Sequence, residues 1–89
     1  MVRRKYRSQA GIVHDILEVL HEEGAMPATR IATYANLPYD RLKIILSSLE
    51  ESGLIAKEEG GYVITEKGIE ALTILRKSRK LLESLGFKL

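Results

Sequence analysis

Residues 29–55 read TRIATYANLPYDRLKIILSSLEESGLI, and the apolar spacing within them decides the fold. Ile31 and Ala35 share a helical face at i, i+4. Asn36-Leu37-Pro38 then interrupts the helix, because the residue before a proline is pushed out of the helical region. Pro38 suits the first position of a second helix, in which Leu42, Ile45, Leu46 and Leu49 recur at the i, i+3, i+4, i+7 spacing of one buried stripe. Gly53 stops that helix in a left-handed cap and sets Leu54 against Leu49. Two short helices about a tight turn make a helix-turn-helix pattern. Opposite the buried stripe lie Asp40, Lys43, Ile44 and Ser47, with Tyr39 and Arg41 at the exposed N-terminal end. Such a side suits a reader of the DNA major groove, although any three-helix core also contains a helix of this kind.

Working outward toward the N-terminus, Glu23-Gly24 ends an earlier helix whose Ile12, Val13, Ile16, Leu17 and Leu20 form a wide apolar face, with Ser8 suited to cap it. Its opposite face holds His14, Glu18, His21 and Glu22 at metal-ligand spacing for zinc or nickel. A solvated helix face collects the same residues, and no second element supplies a ligand, so neither a metal nor any other cofactor is expected. Ala25-Met26-Pro27 is short enough to be a minimal strand. Before the first helix Arg3, Arg4, Lys5 and Arg7 surround Tyr6 without an apolar period, which reads as a basic arm over residues 1–8.

Toward the C-terminus, Leu54 to Lys57 and Tyr62 to Thr65 are strand formers separated by Glu58-Glu59-Gly60-Gly61, a β-hairpin with Tyr62 and Ile64 on one face and Val63 on the other. Thr65 caps a long helix reaching about Leu85, with Gly86 ending it and Phe87 folding back on Leu82. Ala71, Ile74, Ser78, Leu81 and Leu85 are spaced 3, 4, 3, 4, a heptad seam of about two repeats, and Ile69, Leu72, Leu75 and Leu82 form a second stripe beside it. A small domain covers one stripe internally, so the seam predicts a partner helix.

Composition bounds the rest. The 89 residues, 45% hydrophobic and 29% charged, suffice for one small domain with a thin core that oligomerisation would help. There is no cysteine, so disulfides and thiolate metal sites are excluded and an intracellular, cytoplasmic location is expected. No apolar run nears the ~20 residues of a membrane span, and no signal peptide is expected. The net charge of +2 is unevenly spread: +4 in residues 1–10, −4 in 11–26, +2 in 27–46, −3 in 47–59 and +3 in 60–89. That asymmetry favours a nucleic-acid partner more than the total does. With no glycine-rich phosphate loop and no carboxylate pair converging from separate elements, an enzyme is not expected.

The order helix, helix-turn-helix, hairpin, long helix resembles the small archaeal winged-helix DNA-binding proteins that dimerise through an extended C-terminal helix. The resemblance covers nearly the whole chain after Ser8. It is carried by Thr29-Arg30-Ile31, Ala35-Asn36-Leu37, Tyr39 with Leu42-Lys43, Leu49-Glu50-Glu51-Ser52-Gly53-Leu54-Ile55, and Tyr62 with Ile64-Thr65-Glu66-Lys67-Gly68. It implies a mainly α fold with a small β-hairpin: a winged helix-turn-helix domain over residues 9–68 and a coiled-coil-like dimerisation helix over 69–89. It further implies a homodimer on double-stranded DNA, two DNA-reading wings, a nucleoid-associated location, and a role in transcription regulation or chromosome organisation.

On that reading the DNA-binding residues are Arg3, Arg4, Lys5, Arg7, Arg30, Tyr39, Asp40, Arg41, Lys43, Ser47 and Lys57. The dimer seam is Ala71, Ile74, Ser78, Leu81 and Leu85, paired antiparallel so that Arg76, Lys77, Arg79 and Lys80 do not align with themselves. The chain departs from the pattern at Pro38, where relatives carry a capping serine or threonine, and at Asp40 and the acidic wing tip Glu58-Glu59, which repel phosphate. These departures argue against wing insertion into a minor groove and keep open a second class, a winged-helix module for protein contacts in the transcription machinery.

Overall fold

The computed structural model describes residues 9–87, and Arg3, Arg4, Lys5, Arg7 and the expected cap Ser8 lie outside them. Among the described residues the order is α1 (Gln9–Glu23), α2 (Ala28–Ala35), α3 (Tyr39–Glu51), β1 (Ile55–Glu58), β2 (Gly61–Ile64) and α4 (Glu66–Ser84). This is a mainly helical winged helix-turn-helix fold with a two-stranded antiparallel hairpin.

The periodic leucines and isoleucines point where their spacing requires. Ile12, Ile16, Leu17 and Leu20 of α1, Ile31 of α2, Leu42 and Leu46 of α3, Ile55 of β1 and Leu72 of α4 form one buried cluster. Val19, outside the expected face of α1, is buried as well, because α2 closes over that side of the helix. Between α2 and α3 the break is made by Asn36 rather than by the proline. Its backbone is left-handed (φ 57°), and the Leu37 N–H returns to the Ala32 carbonyl at 3.0 Å, a Schellman-type ending. Pro38 stands one position earlier than expected: it is the extended N-cap residue of α3 (ψ 144°), and its carbonyl accepts from the Leu42 N–H at 3.0 Å.

The hairpin pairs Ile55 with Ile64, Ala56 with Val63, Lys57 with Tyr62 and Glu58 with Gly61, which leaves Glu59-Gly60 as a two-residue turn where the sequence suggests four residues. Tyr62 and Ile64 pack on the core. The short segment before α2 adds a bridge to it: the Met26 N–H donates to the Tyr62 carbonyl at 3.0 Å, and the Tyr62 N–H to the Met26 carbonyl at 2.8 Å. Gly61 permits that approach, since a Cβ there would collide with the Met26 carbonyl group.

The hairpin meets α4 in a compact joint. The Thr65 hydroxyl donates to the Gly53 carbonyl at 2.6 Å while accepting from the Gly68 N–H at 3.0 Å, so one side chain ties the end of α3 to the start of α4. Gly68 is buried against the Leu54 carbonyl, whose oxygen occupies the space that an added Cβ would need. The far end of α4 stops at Gly86 (φ 95°), with the Phe87 N–H returning to the Leu82 carbonyl at 2.8 Å. Along α1, α4 brings Arg76 to Glu18 at 3.2 Å.

His14, expected on the solvated face of α1, is instead 8% exposed. The pattern of α1 by itself does not reveal that a partner from the far end of the chain packs there.

Gly68→Ala should destabilise the domain by about 2 kcal/mol or more, because a backbone carbonyl cannot yield as a side chain does. The melting temperature should fall by roughly 8 °C or more. Thr65→Ala should cost about 1 kcal/mol and Thr65→Ser little, since serine keeps both hydrogen bonds. Thermal unfolding of the three variants measures this, and a Gly68→Ala melting point equal to that of the parent would refute the joint.

Candidate nucleic-acid interface

Burying Leu42, Ile45, Leu46 and Leu49 turns Asp40, Arg41, Lys43, Ile44, Ser47 and Ser48 to the outside of α3, all exposed. The helix enters from the extended Pro38, with no side chain capping its first turn. Its leading N–H groups therefore keep the partial positive charge that favours an anion, and Asp40 occupies the same turn. Lys43 lies with its ammonium 5.6 Å from the centre of the Tyr39 ring, a cation–π contact that keeps the charge beside the helix start. In the wing Lys57 stands likewise over Tyr62, at 5.9 Å.

These groups converge unevenly. Tyr39 at the start of α3 and Lys57 and Tyr62 of the hairpin line one shallow cleft, with Thr29 from α2 and the acidic pair Glu58-Glu59 on its rim. Arg30 is not part of it: with Glu23, Thr33 and Tyr34 it borders a separate groove above Val19 and Met26, between α1 and α2. Burial, followed by the carboxylates of Glu18, Asp15, Glu22 and Glu23, pushes the Tyr34 hydroxyl above its usual pKa of 10.0, and those four carboxylates make this side of the molecule acidic. Along α3 and the cleft the cations Arg41, Lys43 and Lys57 thus stand among Asp40, Glu50, Glu51, Glu58 and Glu59 and beside Tyr39 and Tyr62, whereas the side along α1 is acidic.

Of the residues considered as metal ligands, His14 and Glu18 come together, joined by Asp15 rather than by His21 or Glu22. Their donor atoms lie within 4.8 Å of one another, and Glu18 is held by Arg76.

The seam of α4 is divided. Ala71 is half-buried and packs on the domain's own core, as does Leu75 of the second stripe. Ile74, Leu81 and Leu85 remain 63%, 60% and 63% exposed, with Ser78 exposed between them. Thr29, Tyr62 and Ile44 also belong to the surface formed by α3 and the cleft, beyond the DNA-binding set expected from sequence. The helical period of α3 marks Ile44, and the alternation of β2 marks Tyr62, but Thr29 is revealed only by the side of α2 that meets the wing.

The profile of the winged helix-turn-helix family matches residues 6–83. Among solved structures the fold is similar to that of a hypothetical protein from Sulfolobus solfataricus, with a TM-score of 0.70 and 25% sequence identity over 92% of this chain and 68% of that one. None of the curated proteins matches.

Because Arg41, Lys43, Ile44 and Ser47 lie outside the core, their alanine variants should each melt within roughly 4 °C of the parent. Leu46→Ala, on the buried side of the same helix, should lose ~2–5 kcal/mol. Differential scanning calorimetry of the set separates the two sides, and a large loss in Lys43→Ala would mean that its side chain supports the fold.

Proposed function

The chain belongs to the winged helix-turn-helix family, and on that premise we propose that it binds double-stranded DNA as a homodimer and regulates transcription. The observation that carries this reading is the outward side of α3, where Arg41 and Lys43 flank Ile44 and Ser47 directly opposite the buried stripe. Arginine and lysine suit guanine or phosphate, Asp40 suits the amino group of cytosine, and Ser47 serves either base type. Phosphate neutralisation then comes from Arg3, Arg4, Lys5 and Arg7, because the wing tip is acidic and Arg30 borders another groove. Among the described residues no helix is long and apolar enough to cross a membrane. A cytoplasmic protein held on the chromosome fits this reading.

The exposed part of α4 supports dimerisation. Burying Ile74, Leu81 and Leu85 would be worth ~1.5–3 kcal/mol each, whereas left in water they form an adhesive stripe. Arg76 and Arg79 are already engaged with Glu18 and Glu83. An antiparallel pair sets Ile74 opposite Leu81 or Leu85 and holds two copies of α3 on a two-fold axis suited to half-sites on one face of the duplex.

Glu58 and Glu59 favour a second reading, a module for protein contacts, which a failure to bind DNA would select.

Fluorescence anisotropy with a random duplex at several salt concentrations tests the DNA reading. Binding should weaken with salt, and removing residues 1–7 should flatten the log–log slope by ~0.9 for each phosphate that the arm no longer neutralises. On a selected site Arg41→Ala should weaken binding about tenfold or more. Unchanged affinity in both Arg41→Ala and Lys43→Ala would remove α3 from the interface. Light scattering should give a dimer mass, converted to monomer by Leu81→Glu with Leu85→Glu; a dimer that survives both changes would rule out the seam.

A further inference from the structure

Ile44 is 70% exposed, more than any other large apolar side chain among the described residues, and it stands at the middle of the outward side of α3. Its neighbours on that ridge are Asp40 one turn before and Ser47 and Ser48 one turn after, all exposed. At about 100° per residue, Arg41 lies roughly 60° round the helix on one side of Ile44 and Lys43 roughly 100° on the other. An apolar centre between two cationic edges complements a groove walled by two phosphate strands. The long basic side chains reach the walls, the short serines let the helix approach closely, and the branched side chain is carried to the floor.

We propose that Ile44 reads the 5-methyl group of a thymine in the major groove, an inference that rests on the DNA-binding reading above. The groove floor consists of hydrogen-bond donors and acceptors, and the thymine methyl is the apolar group among them. An isoleucine pressed over the N7 and O6 of guanine or the amino group of cytosine strips their water and returns no partner, which is costly. Over thymine it removes two apolar surfaces from water at once. Ile44 therefore selects thymine through both the gain and the penalty.

The test begins with selection of duplexes from a random library by the full-length protein, followed by replacement of each thymine in the enriched site with deoxyuridine, which deletes the methyl group and nothing else. One replacement should weaken binding about fourfold, the worth of one methyl removed from water. The same replacement should leave the affinity of Ile44→Ala unchanged, while the melting point of that variant stays at the parental value. Binding with no enriched sequence, or uridine replacements that are neutral or equally harmful to parent and variant, would overturn the role of Ile44 while leaving DNA binding intact. Failure of the parent to bind any duplex at low salt would overturn both readings and leave Ile44 to a protein partner.

Discussion

The joint at Thr65 holds the rest of the molecule in register. A single hydroxyl donates to the Gly53 carbonyl, just past the end of the helix-turn-helix, and accepts from the first turn of α4 at Gly68. Gly68 has no side chain to hold the Leu54 carbonyl away. Three elements therefore meet within one turn of chain, and the angle at which α4 leaves the domain is set by backbone rather than by long, adaptable side chains. From that angle the consequences run in both directions. One side of α4 is laid along α1, burying Leu72 and bringing Arg76 to Glu18. The other side, carrying Ile74, Leu81 and Leu85, is left to water or to a second copy. The relation between α3 and any two-fold axis on α4 is thus determined by the same few atoms.

Charge is distributed to match. Four carboxylates of α1 lie close enough to Tyr34 to raise its pKa, whereas α3 holds Lys43 over Tyr39 and the wing holds Lys57 over Tyr62. The carboxylates of α1 repel a polyanion, so on the DNA-binding reading that side is turned away from the duplex. On the same reading the acidic wing tip moves the burden of phosphate neutralisation toward the basic arm. That reading leaves the outward side of α3, with Ile44 at its centre, as the surface proposed to discriminate.

Much of the fold was legible because it rests on short periods. The stripe Leu42, Ile45, Leu46, Leu49 defines α3 and, by subtraction, its outward residues, and the segments around Gly53 and Thr65 mark the ends of adjoining elements. What remained hidden depends on contacts across long stretches of chain. His14 reads as a surface residue until α4 packs along α1, where Glu18 and Arg76 meet though 58 positions apart. Arg30 and Thr29 are neighbours in sequence, yet one borders the groove against α1 and the other the cleft beneath the wing. A helical period assigns them different sides but cannot say which side faces the partner. Asn36, more than Pro38, ends α2, since its left-handed backbone satisfies the closing carbonyls.

On the proposed reading DNA is met by the outward side of α3 and the cleft below the wing, and avoided by the acidic side of α1. Amide chemical-shift mapping during titration with a duplex tests it most directly. Shifts should concentrate at Tyr39 to Ser48 and at Lys57 to Tyr62, while Asp15 to Glu23 stay in place. Shifts centred on α1 and the groove beside Arg30, with α3 unmoved, would contradict it.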